Sequence, residues 1–296
     1  MNERWPSRWA ALVPWLLLGA SVAAAASPAA TLPAPATWVE VNNVILRYQL
    51  LGDGGETVVL LHELSMSLES WDELLPAIAP KRQVLRYDLR GSGLSERVTA
   101  PITMQDEVED LRALLDRLKL REPVTLVGST AGAAIALHFA SDYPARVKGV
   151  VAISPAAYMQ PQTQRLSARH AGEPVRSARE LRVEEHEEIF PAAIRSAHPE
   201  RLMRYRGMFY SSDPEGSYET TRMLYSIGFA NVLPRIRCPV LIIAASQFTR
   251  SVDSLRELAA AIPQGRLAVV ESGHLASLES PELVQPLLLE FIRSLR

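Results

Sequence analysis

The stretch Val124-Thr125-Leu126-Val127-Gly128-Ser129-Thr130-Ala131-Gly132, continued by Ala133-Ala134-Ile135-Ala136-Leu137, constrains the fold of this chain more than any other. A short β-rich apolar run enters a Gly-x-Thr-x-Gly turn and leaves into an alanine-rich helical pattern. Strand, sharp turn and helix is the setting in which a Gly-x-Ser-x-Gly elbow presents its central residue. Glycines two residues either side of the centre serve a steric need, because strand and helix nearly touch there and a Cβ would collide. Gly128 and Gly132 therefore place Thr130 at the tip. Ser129 would be framed by Val127 and Ala131, which leave no room for the turn.

The 296 residues suffice for one large α/β domain with an inserted subdomain. A formal net charge of -2 gives no reason to expect nucleic acid or an anionic membrane surface as partner. Cys238 is the only cysteine, which rules out an intramolecular disulfide and fits a small buried apolar residue.

The first residues read as a targeting segment. Arg4 and Arg8 form a basic region, Ala10 to Leu18 a short apolar one, and Ala24-Ala25-Ala26 a small-residue cleavage site. Residues 1–26 are thus expected to be a signal peptide and 27–37 a Pro/Ala-rich spacer, giving an exported protein, periplasmic or secreted, with no membrane contact after cleavage. The alternative is an uncleaved N-terminal anchor, since nothing charged interrupts Ala10 to Val39. Pro14, Gly19 and the weakly apolar alanines argue against a stable span.

Beyond the spacer, Trp38 to Val41 and Val44 to Leu50 flank the hairpin turn Asn42-Asn43. Thr57 to Leu61 reads as a strand buried on both faces and ends at His62-Glu63-Leu64. A helix around Trp71 to Ile78 and a strand at Val84 to Tyr87 lead to the glycine-punctuated loop Asp88-Leu89-Arg90-Gly91-Ser92-Gly93-Leu94-Ser95. Thr103 caps a helix whose apolar stripe is Val108, Leu111, Leu114, Leu115 and Leu118. After the elbow come strands at 149–153, 239–245 and 266–270, a helix over 255–262 and a closing helix from Pro281. This alternation predicts an α/β fold built on a doubly wound, mostly parallel sheet.

Val58-Val59-Leu60-Leu61-His62, Ser70-Trp71-Asp72, Arg86-Tyr87-Asp88-Leu89-Arg90-Gly91-Ser92-Gly93-Leu94-Ser95 and the elbow, in this order and spacing, resemble the α/β-hydrolase superfamily. The resemblance implies a core of residues 38–153 and 236–296 and a helical cap over 154–235. Tyr218 to Arg237 resembles the cap exit of 3-oxoadipate enol-lactonase-like members, which points to small lactones or esters. His198, Arg201, Arg204 and Arg206 surround the Met/Tyr/Phe-rich stretch Met203 to Tyr210; the arginines are read as paired surface residues, or as groups meeting an anionic substrate. Asp88 and Arg90 are expected to stitch their loop together rather than to act in chemistry.

By the same resemblance His274, in Glu271-Ser272-Gly273-His274, is the base of a catalytic triad. Thr130 stands at the nucleophile position, and the N–H groups of Leu64 and Ala131 are the oxyanion donors. The acid position falls on Phe248, and Asp253 is the displaced candidate, with helix capping as its competing explanation. Glu63 occupies the glycine position of the family's His-Gly loop, where a carboxylate raises the barrier to an oxyanion unless it is protonated or turned away. No cofactor and no metal is implied; the partner is a small-molecule substrate or ligand. Three readings stand open: a hydrolase of small esters or lactones with a degenerate triad, a non-triad enzyme using Glu63 and His274 as an acid–base pair, and a pseudoenzyme that only binds.

Overall fold

In the computed structural model, residues 35–98, 100–156, 190–247 and 252–295 are described. The expected signal peptide, most of the spacer, residues 157–189 of the expected cap, and Phe248 lie outside them. Among the described residues, eight strands form one sheet in the order β1-β2-β4-β3-β5-β6-β7-β8. They are β1 (Thr37–Val41), β2 (Val44–Leu51), β3 (Thr57–Leu61), β4 (Gln83–Tyr87), β5 (Val124–Ser129), β6 (Val147–Ile153), β7 (Val240–Ala245) and β8 (Gly265–Val270). The pairs β1/β2 and β2/β4 are antiparallel and all others parallel. The β1–β2 turn is made by Asn42 and Asn43, both in the left-handed region at φ 45° and 57°, which suits a two-residue hairpin.

The described helices are α1 (Leu75–Ile78), α2 (Met104–Arg117), α3 (Ala131–Asp142), α4 (Ala192–Ala197), α5 (Pro199–Ser211), α6 (Pro214–Ser226), α7 (Val252–Ala260), α8 (Ala276–Glu279) and α9 (Pro281–Ser294). The helix expected around Trp71 to Ile78 is instead a 3₁₀ turn at Leu68–Trp71, the single turn α1, and a second 3₁₀ turn at Ala79–Lys81. Pro76 and Pro80 each lack an N–H, which restricts them to first turns and breaks the run. Asp253 lies inside the first turn of α7 rather than ahead of it, because that helix starts at Val252. Nor was α8 expected; its four residues are wholly buried.

Continuous apolar strands arise because both faces of the sheet are covered. Val59 and Leu61, Leu126, Val150 and Ala152, Ile242 and Ala244 face one layer with α2, α3 and α7. Their neighbours Val58 and Leu60, Val127, Val151 and Ile153, Leu241 and Ile243 face the other, with Trp71, Leu74, Ile78 and the α9 residues Val284, Leu288, Phe291 and Ile292. A third apolar cluster joins Phe190, Leu202, Tyr205 and Phe209 to Met66, Leu275 and Leu278. It packs α5 against the loops that follow β3 and β8. Among the described residues no helix is long and apolar enough to cross a membrane.

Candidate active site

β5 is buried along its whole length and runs straight into α3. A Cβ on Gly128 would lie 2.3 Å from the Gly132 carbonyl oxygen, and one on Gly132 would lie 2.2 Å from that of Leu61. Both glycines are therefore obligatory, as the elbow pattern requires. Thr130 sits between them at φ 46°, ψ −100°, a region costly for a β-branched residue, on the order of 1–3 kcal/mol. Backbone bonds hold it there: its N–H donates to the Ile153 carbonyl (2.9 Å) and its carbonyl accepts from Ala156 N–H (3.2 Å).

The loop after β3 meets the elbow from the other side. Gly132 N–H donates to the His62 carbonyl (3.2 Å), and Leu64 N–H donates to Thr130 Oγ1 (3.4 Å). Ala131 opens α3, and the first N–H groups of a helix have no partner within it. His62 is structural. Leu89 N–H donates to its Nε2 (2.9 Å), which leaves the ring proton on Nδ1, 2.7 Å from the Glu63 carbonyl.

Glu63 is 1% exposed. Its Oε1 accepts from the Ser277 hydroxyl (2.6 Å), and the same hydroxyl oxygen lies 3.3 Å from Ser129 Oγ. The carboxylate is thus drawn toward α8. His274, 8% exposed, stands at the carboxyl end of β8, just before that turn. Glu279 is buried at the end of α8 and takes Leu275 N–H at 2.8 Å. Burial raises its carboxyl to a pKa of about 8; backbone N–H groups of Leu275 and Gly273 oppose that shift, and the nearby Glu63 charge adds to it. A Cβ on Gly273 would strike Glu279 Oε2.

The Asp253 side chain is 78% exposed and pairs with Arg256 one turn on. Asp88 and Arg90 are structural. Asp88 accepts from Leu68 N–H (2.7 Å), Leu94 N–H (2.8 Å) and Arg47 (3.2 Å), while Arg90 grips Asp110 at 2.6 and 2.8 Å. Of the arginines near Met203–Tyr210, Arg201 donates to the Glu279 carbonyl (2.7 Å) and pairs with Glu282 (3.1 Å), and Arg204 pairs with Glu73 (2.6 Å). A cleft of about 290 Å³ beside α5, lined by Arg47, Ser67, Glu69, Leu94, Gly207 and Met208, does not include Thr130, Glu63 or His274. Arg47, the one cation among the described lining residues, is already bound by Glu69 and Asp88. Among the described residues no cluster of His, Cys, Asp or Glu could hold a metal ion.

Sequence reasoning missed Ser277 and Glu279. Glu279-Ser280-Pro281-Glu282 reads as the start of α9, which masks the inward Glu279, and nothing marks Ser277 except its place three residues after His274.

A family model described as alpha/beta hydrolase fold matches residues 56–281. The chain is similar to a haloalkane dehalogenase of Mesorhizobium japonicum, 33% identical over 123 residues, 42% of this chain and 39% of that one. It is also similar to the poly(3-hydroxyalkanoate) depolymerase of Ectopseudomonas oleovorans, 25% identical over 249 residues, 81% and 85% of the two chains. The aligned part spans 33% to 39% of the length of the first curated relatives. Among solved structures, the enol-lactonase from Burkholderia xenovorans LB400 superposes with a TM-score of 0.81 at 24% identity, over 87% of this chain and all of that one.

Proposed function

Since this chain belongs to the alpha/beta hydrolase fold family, we propose that it hydrolyses small esters or lactones through Thr130 and His274. The observation that carries this reading is Leu64 N–H directed at Thr130 Oγ1 across the elbow, at 3.4 Å. A nucleophile and an oxyanion donor share one point there. In this mechanism the Thr130 hydroxyl attacks the acyl carbon while His274 takes its proton, and the N–H groups of Leu64 and Ala131 receive the oxyanion. His274 then protonates the leaving alcohol, and water completes the cycle by the reverse steps. The methyl of threonine crowds the attack path, so turnover is slow. Residues 154–235 serve as the cap over a small-molecule site, and the chain is exported after cleavage near Ser27. Similarity to a poly(3-hydroxyalkanoate) depolymerase supports the ester class.

A second reading is favoured by one observation: Glu63 Oε2 is buried without a hydrogen-bond partner among the described residues. Such a carboxyl is placed to exchange a proton with a ligand, with His274 as the other half of an acid–base pair. Steady-state turnover of p-nitrophenyl acetate, with trapping of the acyl-enzyme for mass spectrometry, separates the two. A label on Thr130 and loss of turnover in Thr130→Ala support the first reading. Turnover that survives Thr130→Ala overturns it in favour of the second. Ligand binding with no turnover in either protein defeats both and leaves a binding protein.

A further inference from the structure

We propose that Ser277 and Glu63 form a clasp that positions the catalytic groups, so that the carboxylate at the family's glycine position is a working part of the site. The proposal rests on the hydrolase reading and assigns Ser277 as a positioning residue for it. Three loops must be held in register for the chemistry: the one after β3 with Leu64, the elbow after β5 with Thr130, and the one after β8 with His274. The Ser277 hydroxyl reaches all three neighbourhoods. It donates to Glu63 Oε1 (2.6 Å), next to Leu64, and its oxygen stands 3.3 Å from Ser129 Oγ, next to Thr130. Ser277 itself is on the buried turn α8, three residues from His274.

A glycine at position 63 could make no such link. The carboxyl group spans the gap between the oxyanion loop and α8, and accepts a hydrogen bond of 2.6 Å across it. The rest of α8 is tied down as firmly. Glu279 takes Leu275 N–H at 2.8 Å, and Arg201 of α5 donates to the Glu279 carbonyl at 2.7 Å. The clasp therefore joins the oxyanion loop to a fixed point. Through it, the direction of the Leu64 N–H and the place of His274 become mutually dependent.

The test uses the full chain and p-nitrophenyl acetate with Ser277→Ala, Glu63→Gly, their combination, and Glu63→Gln, whose amide oxygen can still accept from Ser277. Ser277→Ala and Glu63→Gly should each lower kcat about 10- to 100-fold at little-changed KM, the scale of a misplaced catalytic group. The double variant should be no worse than either single one, and Glu63→Gln should stay within about threefold of the native chain. Independent losses that multiply in the double variant would overturn the clasp. A Glu63→Gln variant as impaired as Glu63→Gly would overturn it in favour of proton transfer by Glu63. If the native chain turns over no ester, the hydrolase reading fails and nuclear magnetic resonance decides the clasp by itself. The Leu64 amide and His274 ring signals should then shift in Ser277→Ala and Glu63→Gly but not in Glu63→Gln. Unmoved signals in Ser277→Ala would refute it.

Discussion

Replacing Glu279 by Gln should flatten the pH dependence of stability between about pH 6.5 and 8. Burial raises this carboxyl from 4.5 to about 8, against the pull of the Leu275 and Gly273 backbone groups. The folded chain thus keeps a proton that the unfolded chain has released above 4.5. Where the native state binds more protons than the unfolded one, stability falls as pH rises. The contribution is complete below pH 4.5 and is lost as pH climbs to the folded value. One proton is worth about 1.4 kcal/mol per pH unit, which makes the loss about 1–2 kcal/mol across pH 6.5–8, where the slope eases near the pKa. His138 acts in the opposite sense. Burial lowers its pKa below 6.5, ahead of a raising effect from Asp142 and a lowering one from Arg235. Its contribution is lost as pH falls and touches only the lower edge of the window, equally in both proteins. Glutamine keeps an acceptor for Leu275 N–H and cannot titrate, so the two proteins differ in the ionisation alone. Urea melts followed by tryptophan fluorescence, at several pH values from 6 to 8.5, give the free energy at each point. A native curve that falls over the window more steeply than the Glu279→Gln curve fits the argument; buried Glu107, whose pKa burial also raises, acts equally in both proteins. Parallel curves would refute it, since they would place the ionisation of Glu279 outside the window.

Gly132→Ala should leave little soluble folded protein, because its Cβ would lie 2.2 Å from the Leu61 carbonyl oxygen, whereas Gly55→Ala, with nothing within 4 Å, should express normally. Comparing soluble yield and melting temperature of the pair checks this. Thr103→Ala removes the acceptor for Asp106 N–H (3.1 Å) in a capping box and should cost about 1 kcal/mol. Calorimetry should then record a melting temperature about 2–4 °C lower. Asp253→Asn should leave kcat/KM on p-nitrophenyl acetate within about twofold, since the side chain is exposed and paired with Arg256. A hundredfold loss would restore it as the triad acid.

The sequence by itself determined the sheet, the elbow and the strengths of the local signals. Period-free apolar runs such as Thr57–Leu61 mean burial on both faces, and two glycines around Thr130 admit one steric interpretation, so these features are written in short windows. Thr103 with Asp106 three residues on declares a helix start in the same local way. What lay beyond the sequence were contacts between residues far apart in the chain. Ser277 and Glu63 are 214 positions apart, and no spacing rule relates a serine after one strand to a glutamate after another. Only the packing of α8 beneath the loops after β3 and β5 brings them together, and it turns the carboxylate toward a donor. The same holds for Glu279: its local sequence reads as the approach to a helix start, while its burial, and the pKa that burial raises against the pull of the Leu275 and Gly273 backbone groups, come from the packing around it. Charge and hydrogen-bond partners depend on where side chains end up in three dimensions, and that was decided by the tertiary structure.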